Sequence, residues 1–282
     1  MGREPFPEGE GHGVRQVLAA ATRRLATVSD STRLDAELLM AHALGVEREA
    51  LLLYHLDDAA PEAFAALVER RLAHEPLAYI TGTRGFWSIE LKVGPGVLIP
   101  RPDSETLIEA AVEHFAGRLP ARVLDLGTGP GTLLLAALDQ WPEARGLGVD
   151  ASEAALGYAR RNAEALGMAE RAAFRIGDWA AGLEGPFDLV LCNPPYVGAD
   201  EAIGEDVRRF EPHAALFAGN DGLDDYRRII PELRRLLAPG GLAALEIGWT
   251  QGEAVSALAV DQGFAVTVRN DLGNRPRAVL LT

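Results

Sequence analysis

The sequence predicts an α/β protein in which a small all-helical region and a β-hairpin precede a seven-stranded, mostly parallel, Rossmann-like sheet. From residue 122 onward, short apolar runs alternate for the most part with amphipathic stretches, which is typical of doubly wound sheets. Residues 14–74 instead form four stretches rich in Ala, Leu, Arg and Glu, with apolar positions at helical spacing. The last two apolar runs have no helix between them, so they should pair as an antiparallel hairpin at one edge. We therefore divide the 282 residues into a helical domain (1–83), a hairpin linker (84–100) and a sheet domain (101–282).

The linker is predicted from the stretch GFWSIELKVGPGVLIP. Aromatic and β-branched residues alternate there around Gly94, Pro95 and Gly96, which indicates a hairpin turn at these three residues. A helix over about Ser104–Ala116 should follow.

Composition and charge exclude several classes of protein. With 27 Lys plus Arg against 41 Asp plus Glu, the formal net charge is −14 and no basic block stands out, which disfavours a protein that grips phosphate backbones. The single cysteine, Cys192, excludes an intramolecular disulfide and a Cys-cluster metal site, and is predicted to be buried rather than nucleophilic. The six His residues form no ligand-spaced cluster, so no metal is expected. Residues 1–13 do not resemble a signal peptide, and no apolar run is long enough to span a bilayer, so we expect a soluble cytoplasmic protein with no membrane contact.

A glycine-rich turn follows the first apolar run of the sheet domain. Its glycines are Gly127, Gly129 and Gly131, and Asp125 lies two residues before the first of them. Glycines allow a sharp bend and leave space for a ligand against the backbone. The dinucleotide fingerprint needs a third glycine where Thr132 stands, and no Gly-Lys follows for a P-loop, so NAD and nucleotide triphosphates fit less well. A carboxylate at the strand end suits a ligand with a cationic ammonium group, such as S-adenosylmethionine; an ordinary strand-to-helix turn is the alternative.

Two further acidic positions follow the next strands. Asp150 ends the second strand, where a carboxylate can accept hydrogen bonds from the ribose hydroxyls of an adenosine ligand. The alternative is an N-cap for the helix that starts at Ser152. Asp178 and Trp179 follow the third strand and could contact an adenine ring, although a tryptophan in a loop more often serves packing.

The sequence Asn193-Pro194-Pro195-Tyr196 follows the fourth strand, FDLVLC. An amide nitrogen is a poor nucleophile because its lone pair is delocalised. The Asn193 side-chain oxygen and a proline carbonyl can accept its two N–H bonds, orient the lone pair and stabilise charge as the nitrogen attacks a methyl group. Consecutive prolines stiffen the loop, and Tyr196 offers an aromatic face for a planar group. A polar turn built with prolines is the structural alternative.

These motifs together resemble class I S-adenosylmethionine-dependent methyltransferases that act on planar nitrogen. Longer stretches occur in the order seen in the HemK/PrmC family: residues 76–82 (PLAYITG), 86–87 (FW), 99–105 (IPRPDSE), 193–196 (NPPY), 211–212 (EP), 219–223 (GNDGL), 239–241 (PGG) and 245–248 (LEIG). The likeness runs from about Val14 to the C-terminus. Pro130 and Thr132 stand where the family usually has Ser and Ala, and Ser104 stands where it usually has Thr.

The resemblance implies direct transfer of a methyl group from S-adenosyl-L-methionine to a glutamine side-chain nitrogen of peptide-chain release factors. The helical domain would help hold the factor, and its Gly-Gly-Gln loop would enter the Asn-Pro-Pro-Tyr pocket. The implied catalytic residues are Asn193, Pro194 and Tyr196, which with Pro195 also bind substrate. The implied cofactor-binding residues are Asp125, Gly127, Thr128, Gly129, Gly131, Asp150, Asp178, Trp179 and Asn193. Adenine-N6 methylation of nucleic acid is the alternative activity, since those enzymes share the Asn-Pro-Pro-Tyr sequence; the uniform acidity counts against it and against direct nucleic-acid binding. A binding module without activity is a further alternative.

Overall fold

The computed structural model describes residues 13–282, so the expectations for residues 1–12, including the absence of a signal peptide, lie outside the described residues. The helices are α1 (Val14–Leu25), α2 (Thr32–Leu44), α3 (Arg48–Tyr54), α4 (Ala63–Leu72), α5 (Leu77–Thr81), α6 (Glu105–His114), α7 (Thr132–Gln140), α8 (Glu153–Ala165), α9 (Glu205–Phe210), α10 (Asp224–Leu236) and α11 (Gly252–Asp261). The strands are β1 (Thr83–Phe86), β2 (Ile89–Lys92), β3 (Arg122–Leu126), β4 (Arg145–Asp150), β5 (Ala172–Ile176), β6 (Phe187–Cys192), β7 (Leu237–Glu246), β8 (Val266–Asn270) and β9 (Pro276–Leu281). Among the described residues, no helix is long and apolar enough to cross a membrane.

The chain forms two compact units. Of the described residues, unit 1 contains those up to Gly82 together with Gly204–Phe210, and unit 2 contains Thr83–Ile203 and Glu211–Thr282. The hairpin therefore belongs to unit 2, and α9 belongs to unit 1. The three-part division made from the sequence stays a prediction about domains.

Unit 1 is helical, with α1–α5 and α9. Its core consists of apolar residues, Phe64 among them, that α1, α2 and α4 place at helical spacing, joined by Leu51 of α3 and Ile80 of α5. Helix α2 ends at Gly45, which adopts the left-handed conformation (φ 68°) that glycine tolerates, as its position in the sequence predicts. The short helices α5 and α9 were not predicted.

The hairpin lies earlier in the chain than the sequence predicts. Strands β1 and β2 pair antiparallel with Phe86 opposite Ile89, so the turn consists of Trp87 and Ser88, and Gly94–Gly96 follow the hairpin. The prediction that the hairpin turns at Gly94–Gly96 was wrong: these residues form a separate turn after β2, in which the Val97 N–H donates to the Gly94 carbonyl at 3.4 Å. Gly94 also serves close packing, since a Cβ there would overlap the Tyr158 hydroxyl.

The sheet of unit 2 has seven strands in the order β5-β4-β3-β6-β7-β9-β8. Strands β3 to β7 are parallel, and β9 pairs antiparallel with both β7 and β8. This confirms the predicted mostly parallel sheet with an antiparallel pair at one edge. The strand order reverses between β3 and β6, and ligands of open α/β sheets bind beyond the strand carboxyl ends at such a point.

Two apolar cores cover the faces of this sheet. Residues of α6, α7 and the hairpin pack with alternate strand residues such as Leu189 and Leu191 on one face. Residues of α10 and α11 pack with Val190, Cys192 and their neighbours on the other. Strands that are buried on both faces read as continuous apolar runs, which is why the sequence indicates them clearly.

Candidate functional site

The glycine-rich turn connects β3 to α7 at the carboxyl edge of the sheet. Gly127, Gly129 and Gly131 all have positive φ, at 73°, 57° and 88°. A Cβ on Gly127 would lie 2.9 Å from the Trp179 ring, and one on Gly131 would lie 2.8 Å from Leu135. A side chain is therefore strained by the backbone conformation at both positions, and at Gly127 it would also press on the indole ring. Gly127 keeps the turn flat beneath the indole, whereas Gly131 serves the packing of α7.

Asp125 lies beneath this turn and is 1% exposed. Its Oδ2 accepts hydrogen bonds from the Thr128 hydroxyl at 2.6 Å and from the Leu134 backbone N–H at 3.1 Å. Its Oδ1 is buried and has no hydrogen-bond partner among the described residues. Burial raises the pKa of the carboxyl to about 7, against the opposing effect of the two hydrogen bonds and with a contribution from Asp150. The carboxyl thus braces the turn with one oxygen, and its second oxygen is a buried acceptor without a partner among the described residues, which suits a cationic group beside it.

Asp150 ends β4 beside the same turn. Its Oδ2 accepts from the Gly129 N–H at 2.8 Å, and its Oδ1 accepts from the Ser152 N–H at 2.8 Å. Burial raises the pKa of this carboxyl, although the backbone hydrogen bonds act in the opposite direction. The N-cap of α8 is Ser152, whose side chain accepts from the Ala155 N–H at 3.2 Å. The alternative interpretation of Asp150 as the N-cap was therefore wrong, and Asp150 instead ties β4 to the glycine-rich turn.

The residues after β5 place an indole over the turn. Trp179 has φ 48° and donates a hydrogen bond from Nε1 to Asp225 Oδ1 of α10 at 3.0 Å. Asp178, beside it, is paired with Arg228 of α10 at 2.5 Å. Arg228 also lines the cavity, and its ion pair with Asp178 joins α10 to the loop after β5. Trp179 and Asp225 are 46 residues apart in the sequence, and Asp178 and Arg228 are 50 apart, so neither pair can be recognised from spacing.

Asn193 is the first residue after β6, next to β3 at the point where the strand order reverses. Its Nδ2 donates to the Ser104 hydroxyl at 3.2 Å. The Tyr196 hydroxyl donates to Glu246 Oε1 at 3.2 Å, and the Tyr196 carbonyl accepts from Gln251 Nε2 at 2.9 Å. The charge of Glu246 and burial both raise the pKa of the tyrosine, so it remains protonated. The loop after β6 is thus held by three side chains from other segments, and the Tyr196 hydroxyl faces β7.

A single cavity of about 440 Å³ joins these features. Nine of the predicted residues line it: Asp125, Gly127, Thr128, Gly129, Asp150, Asp178, Trp179, Asn193 and Pro195. Gly131, Pro194 and Tyr196 are not among the lining residues. Lining residues to which sequence analysis gave no role include Val97, Arg101, Ser104, Pro212, Asp225 and Arg228.

Buried Glu211 connects two segments of the cavity wall. Its carboxylate accepts from the Ile99 N–H at 2.9 Å and from Arg101 at 2.5 Å. Most residues of 96–101 and of 212–215 line the cavity, so the contacts of Glu211 hold two parts of its wall together. In the sequence, Arg101 and Glu211 are indicated only because they lie in IPRPDSE and EP, two of the stretches that carry the family resemblance.

These residues fit the S-adenosylmethionine predicted from the sequence. The cavity volume lies within the range of about 300–1,000 Å³ that is typical of small-molecule sites. The buried, unpartnered Asp125 Oδ1 suits the ammonium group, and Asp150 lies at the strand end where a carboxylate meets ribose hydroxyls. The Trp179 ring packs against Gly127 of the glycine-rich turn and adds an aromatic surface to the cavity wall.

Comparison with known proteins agrees with this geometry. Residues 16–82 match the PrmC N-terminal domain family, and residues 120–265 match a methyltransferase domain family. The chain is 43% identical over 257 residues to a release factor glutamine methyltransferase of Rhodospirillum rubrum, covering 89% of this chain and 79% of that protein. It is 44% identical over 270 residues to one of Cereibacter sphaeroides, covering 93% and 95%. A methyltransferase structure from Pyrococcus furiosus shares the fold, with a TM-score of 0.52, 19% identity and coverage of 68% of this chain and 87% of that one. The predicted class I methyltransferase fold is therefore confirmed.

Proposed function

The chain belongs to the release factor glutamine methyltransferase family, and we propose that the residues around the β3–β6 crevice carry out that reaction. The protein is an S-adenosylmethionine-dependent methyltransferase that modifies the glutamine side-chain nitrogen, N5, of peptide-chain release factors. The observation that carries the assignment of residues is the position of Asn193. It lies on the wall of the cavity, and the Ser104 hydroxyl engages its Nδ2, so that Oδ1 is left to accept a hydrogen bond.

S-adenosylmethionine supplies an electrophilic methyl group when it is bound. Asp125 would hold its ammonium group, Asp150 its ribose hydroxyls, and Trp179 would lie on the adenine side of the cavity. Asp178 pairs with Arg228, which fixes the loop after β5, and its carboxylate keeps acceptor sites for the adenine amine. Pro130 provides no N–H, but its carbonyl accepts from Asn162 Nδ2 at 2.9 Å, which fastens the glycine-rich turn to α8.

The target nitrogen needs two acceptors for its two N–H bonds. Asn193 Oδ1 is one, and the Pro194 carbonyl is the other. Accepting both bonds turns the lone pair towards the methyl group and stabilises the positive charge that develops on nitrogen. Pro195 contributes to the cavity wall, and Tyr196 serves to hold the loop and pack against the amide.

Release factors are the protein partners in this proposal, and unit 1, which matches the PrmC N-terminal domain family, contributes to holding them. A cytoplasmic location follows from that partner, because release factors act on ribosomes.

The decisive experiment uses the full chain with methyl-labelled S-adenosylmethionine and a purified release factor. Label should enter the wild-type factor and should be absent from a matched factor in which the glutamine of the Gly-Gly-Gln sequence is replaced by alanine. Parallel reactions with DNA and RNA test the alternative activity. Label on nucleic acid, or equal label on both forms of the factor, would overturn the proposal.

A further inference from the structure

The loop after β6 has few ways to hold its own shape. Pro194 and Pro195 have no backbone N–H to donate, so hydrogen bonds from the backbone cannot fix the middle of the loop. Beyond the loop the chain is held again, because the Val197 N–H donates to the Leu216 carbonyl at 2.9 Å. The position of the Pro194 carbonyl therefore depends on how firmly the rest of the loop is tied to its surroundings.

One side chain binds this loop to two other segments. Gln251, which precedes α11, donates from Nε2 to the Tyr196 carbonyl at 2.9 Å and to the Gly222 carbonyl at 3.3 Å. Its Oε1 accepts from the Gly248 N–H at 2.9 Å. An amide side chain has two N–H donors and one acceptor oxygen, and these partners are two carbonyls and one N–H. Only one orientation of the Gln251 amide satisfies all three partners, so the hydrogen bonds fix that orientation.

Two glycines allow these groups to meet. A Cβ on Gly222 would lie 2.2 Å from the Tyr196 carbonyl oxygen and 2.7 Å from Gln251 Nε2. A Cβ on Gly248 would lie 2.9 Å from Gln251 Oε1. Gly222 also has φ 71°, a conformation in which other residues are strained. The sequence stretches GNDGL and LEIG thus supply the space in which the amide of Gln251 joins the two carbonyls.

Tyr196 is consequently held at both ends by residues at or after the end of β7. Its hydroxyl donates to Glu246 Oε1 at 3.2 Å, and its carbonyl accepts from Gln251. Of the described residues, those that line the cavity include Asn193 and Pro195 but neither Tyr196 nor Gln251. Gln251 therefore acts on the cavity only through the loop.

We propose that Gln251 is a positioning residue, which holds the loop after β6 so that the Asn193 oxygen and the Pro194 carbonyl stay at the spacing that the target amide needs. Each proline fixes φ near about −65°, so a displacement of Tyr196 is passed on to Pro194 instead of being absorbed by backbone rotation. A misplacement of about 1 Å at reacting groups can cost about a hundredfold in rate. This inference rests on the proposed function, because it concerns the same two acceptors.

The test removes the donors of Gln251 and keeps the size of the side chain. Gln251→Glu retains an oxygen for the Gly248 N–H, but it has no donor for the two carbonyls. Gln251→Met removes the same donors without adding a charge, in case the first variant does not fold. In either folded variant we expect kcat to fall at least about tenfold, while the affinity for S-adenosylmethionine stays within about twofold.

Glu253→Gln is the matched control, since Glu253 is an exposed residue of α11 that belongs to no part of this network, and its kcat should equal that of the wild type. A folded Gln251 variant with wild-type kcat would overturn the inference. A loss of kcat with an equal loss of cofactor affinity would also overturn it, because a general disturbance of the fold would then explain both.

A second measurement does not depend on the substrate. Of the five tyrosines in the chain, only Tyr196 is followed by valine, so labelling tyrosine carbonyls with ¹³C and valine with ¹⁵N gives one signal, from the peptide bond between Tyr196 and Val197. Gln251→Glu should shift this carbonyl signal, and Glu253→Gln should leave it in place. An unshifted signal in Gln251→Glu would overturn the inference. A wild-type enzyme that fails to methylate release factors would overturn the proposed function instead, and the carbonyl signal would still show whether Gln251 holds the loop.

Discussion

Stability and cofactor binding should make opposite demands on Asp125. Burial raises the pKa of its carboxyl from 3.8 to about 7, and both of its hydrogen bonds end on Oδ2. Asp125→Asn therefore keeps an oxygen for Thr128 and Leu134 and removes the charge that burial disfavours. The folded carboxyl keeps its proton up to about pH 7 and the unfolded one releases it near 3.8. Between these values the folded state binds more protons, so this group lowers the free energy of unfolding as pH rises.

The magnitude follows from the size of the shift. Roughly 3 pH units at about 1.4 kcal/mol each correspond to about 4 kcal/mol. The wild type and the Asp125→Asn variant should therefore have similar free energies of unfolding near pH 4. At pH 8 the variant should be more stable, by up to about 4 kcal/mol.

Urea unfolding followed by circular dichroism from pH 4 to pH 8 measures this difference. Calorimetric titration with S-adenosylmethionine should show the opposite effect on function, an affinity at least tenfold lower for the variant at pH 8, because the ammonium group loses its counter-charge. At pH 6 the wild type should release a proton on binding, seen as a dependence of the heat on the buffer. A stability difference that does not vary with pH would refute the burial argument, and unchanged affinity would refute contact with the ammonium group.

Three other predictions concern the remaining parts of the site and the approach of the partner. Asn193→Ala should lower kcat by at least about a hundredfold and leave cofactor affinity within about twofold, because an acceptor used in the transition state is lost; calorimetry that showed lost cofactor binding would contradict this role. Gly127→Ala should destabilise the protein more than Gly129→Ala, since both residues have positive φ but only the first substitution would press a Cβ against Trp179. The extra loss of unfolding free energy, measured with urea, should be about 1.5–3 kcal/mol if the Trp179–Asp225 hydrogen bond breaks. Equal losses would show that the indole moves freely. The net charge of −14 should speed association with a basic partner, so the association rate in stopped-flow mixing should fall as salt rises, and a rate independent of salt would exclude steering.

The parts of the fold that sequence analysis predicted well are those with a strong local cause. The runs of β3 and β6 are apolar because both faces of these strands are buried, and the glycines between β3 and α7 are required by positive φ. Helix α9 has only six residues, too few for a helical period to be visible. The hairpin turn was misplaced because the conformation of Trp87 depends on tertiary contacts, among them the hydrogen bond from its N–H to Glu105 at 2.9 Å.

Residues that act through distant partners could not be predicted from the sequence. The cofactor side was partly recognisable, since Asp125 lies one residue before the end of β3 and Asp150 ends β4, and strand ends define the ligand edge. The local sequence around Ser104 and Glu246 does not indicate a function, because Ser104 simply precedes α6 and Glu246 is the last residue of the apolar strand β7. Only the pairing of β6 with β7, which puts Cys192 opposite Leu245, brings the end of β7 beside the loop of Asn193.

The strand order explains why the two halves of the reaction meet where they do. The chain builds β4 and β5 to one side of β3, and then crosses to place β6 and β7 on the other side. The carboxyl ends of β3, β4 and β5 carry the residues assigned to the cofactor, and the ends of β6 and β7 carry Asn193 and Glu246. Asp125 pairs with Leu191 across the β3–β6 boundary, two residues before Asn193. The residues assigned to the methyl donor and those assigned to the methyl acceptor therefore follow neighbouring strands, and the methyl group has to cross only the crevice between them. If the Asn193 side-chain oxygen faced away from this crevice, the residues assigned to the cofactor would be unaffected, but the target nitrogen would not be oriented. The hydrogen bond from Asn193 Nδ2 to Ser104 therefore matters as much as Asn193 itself.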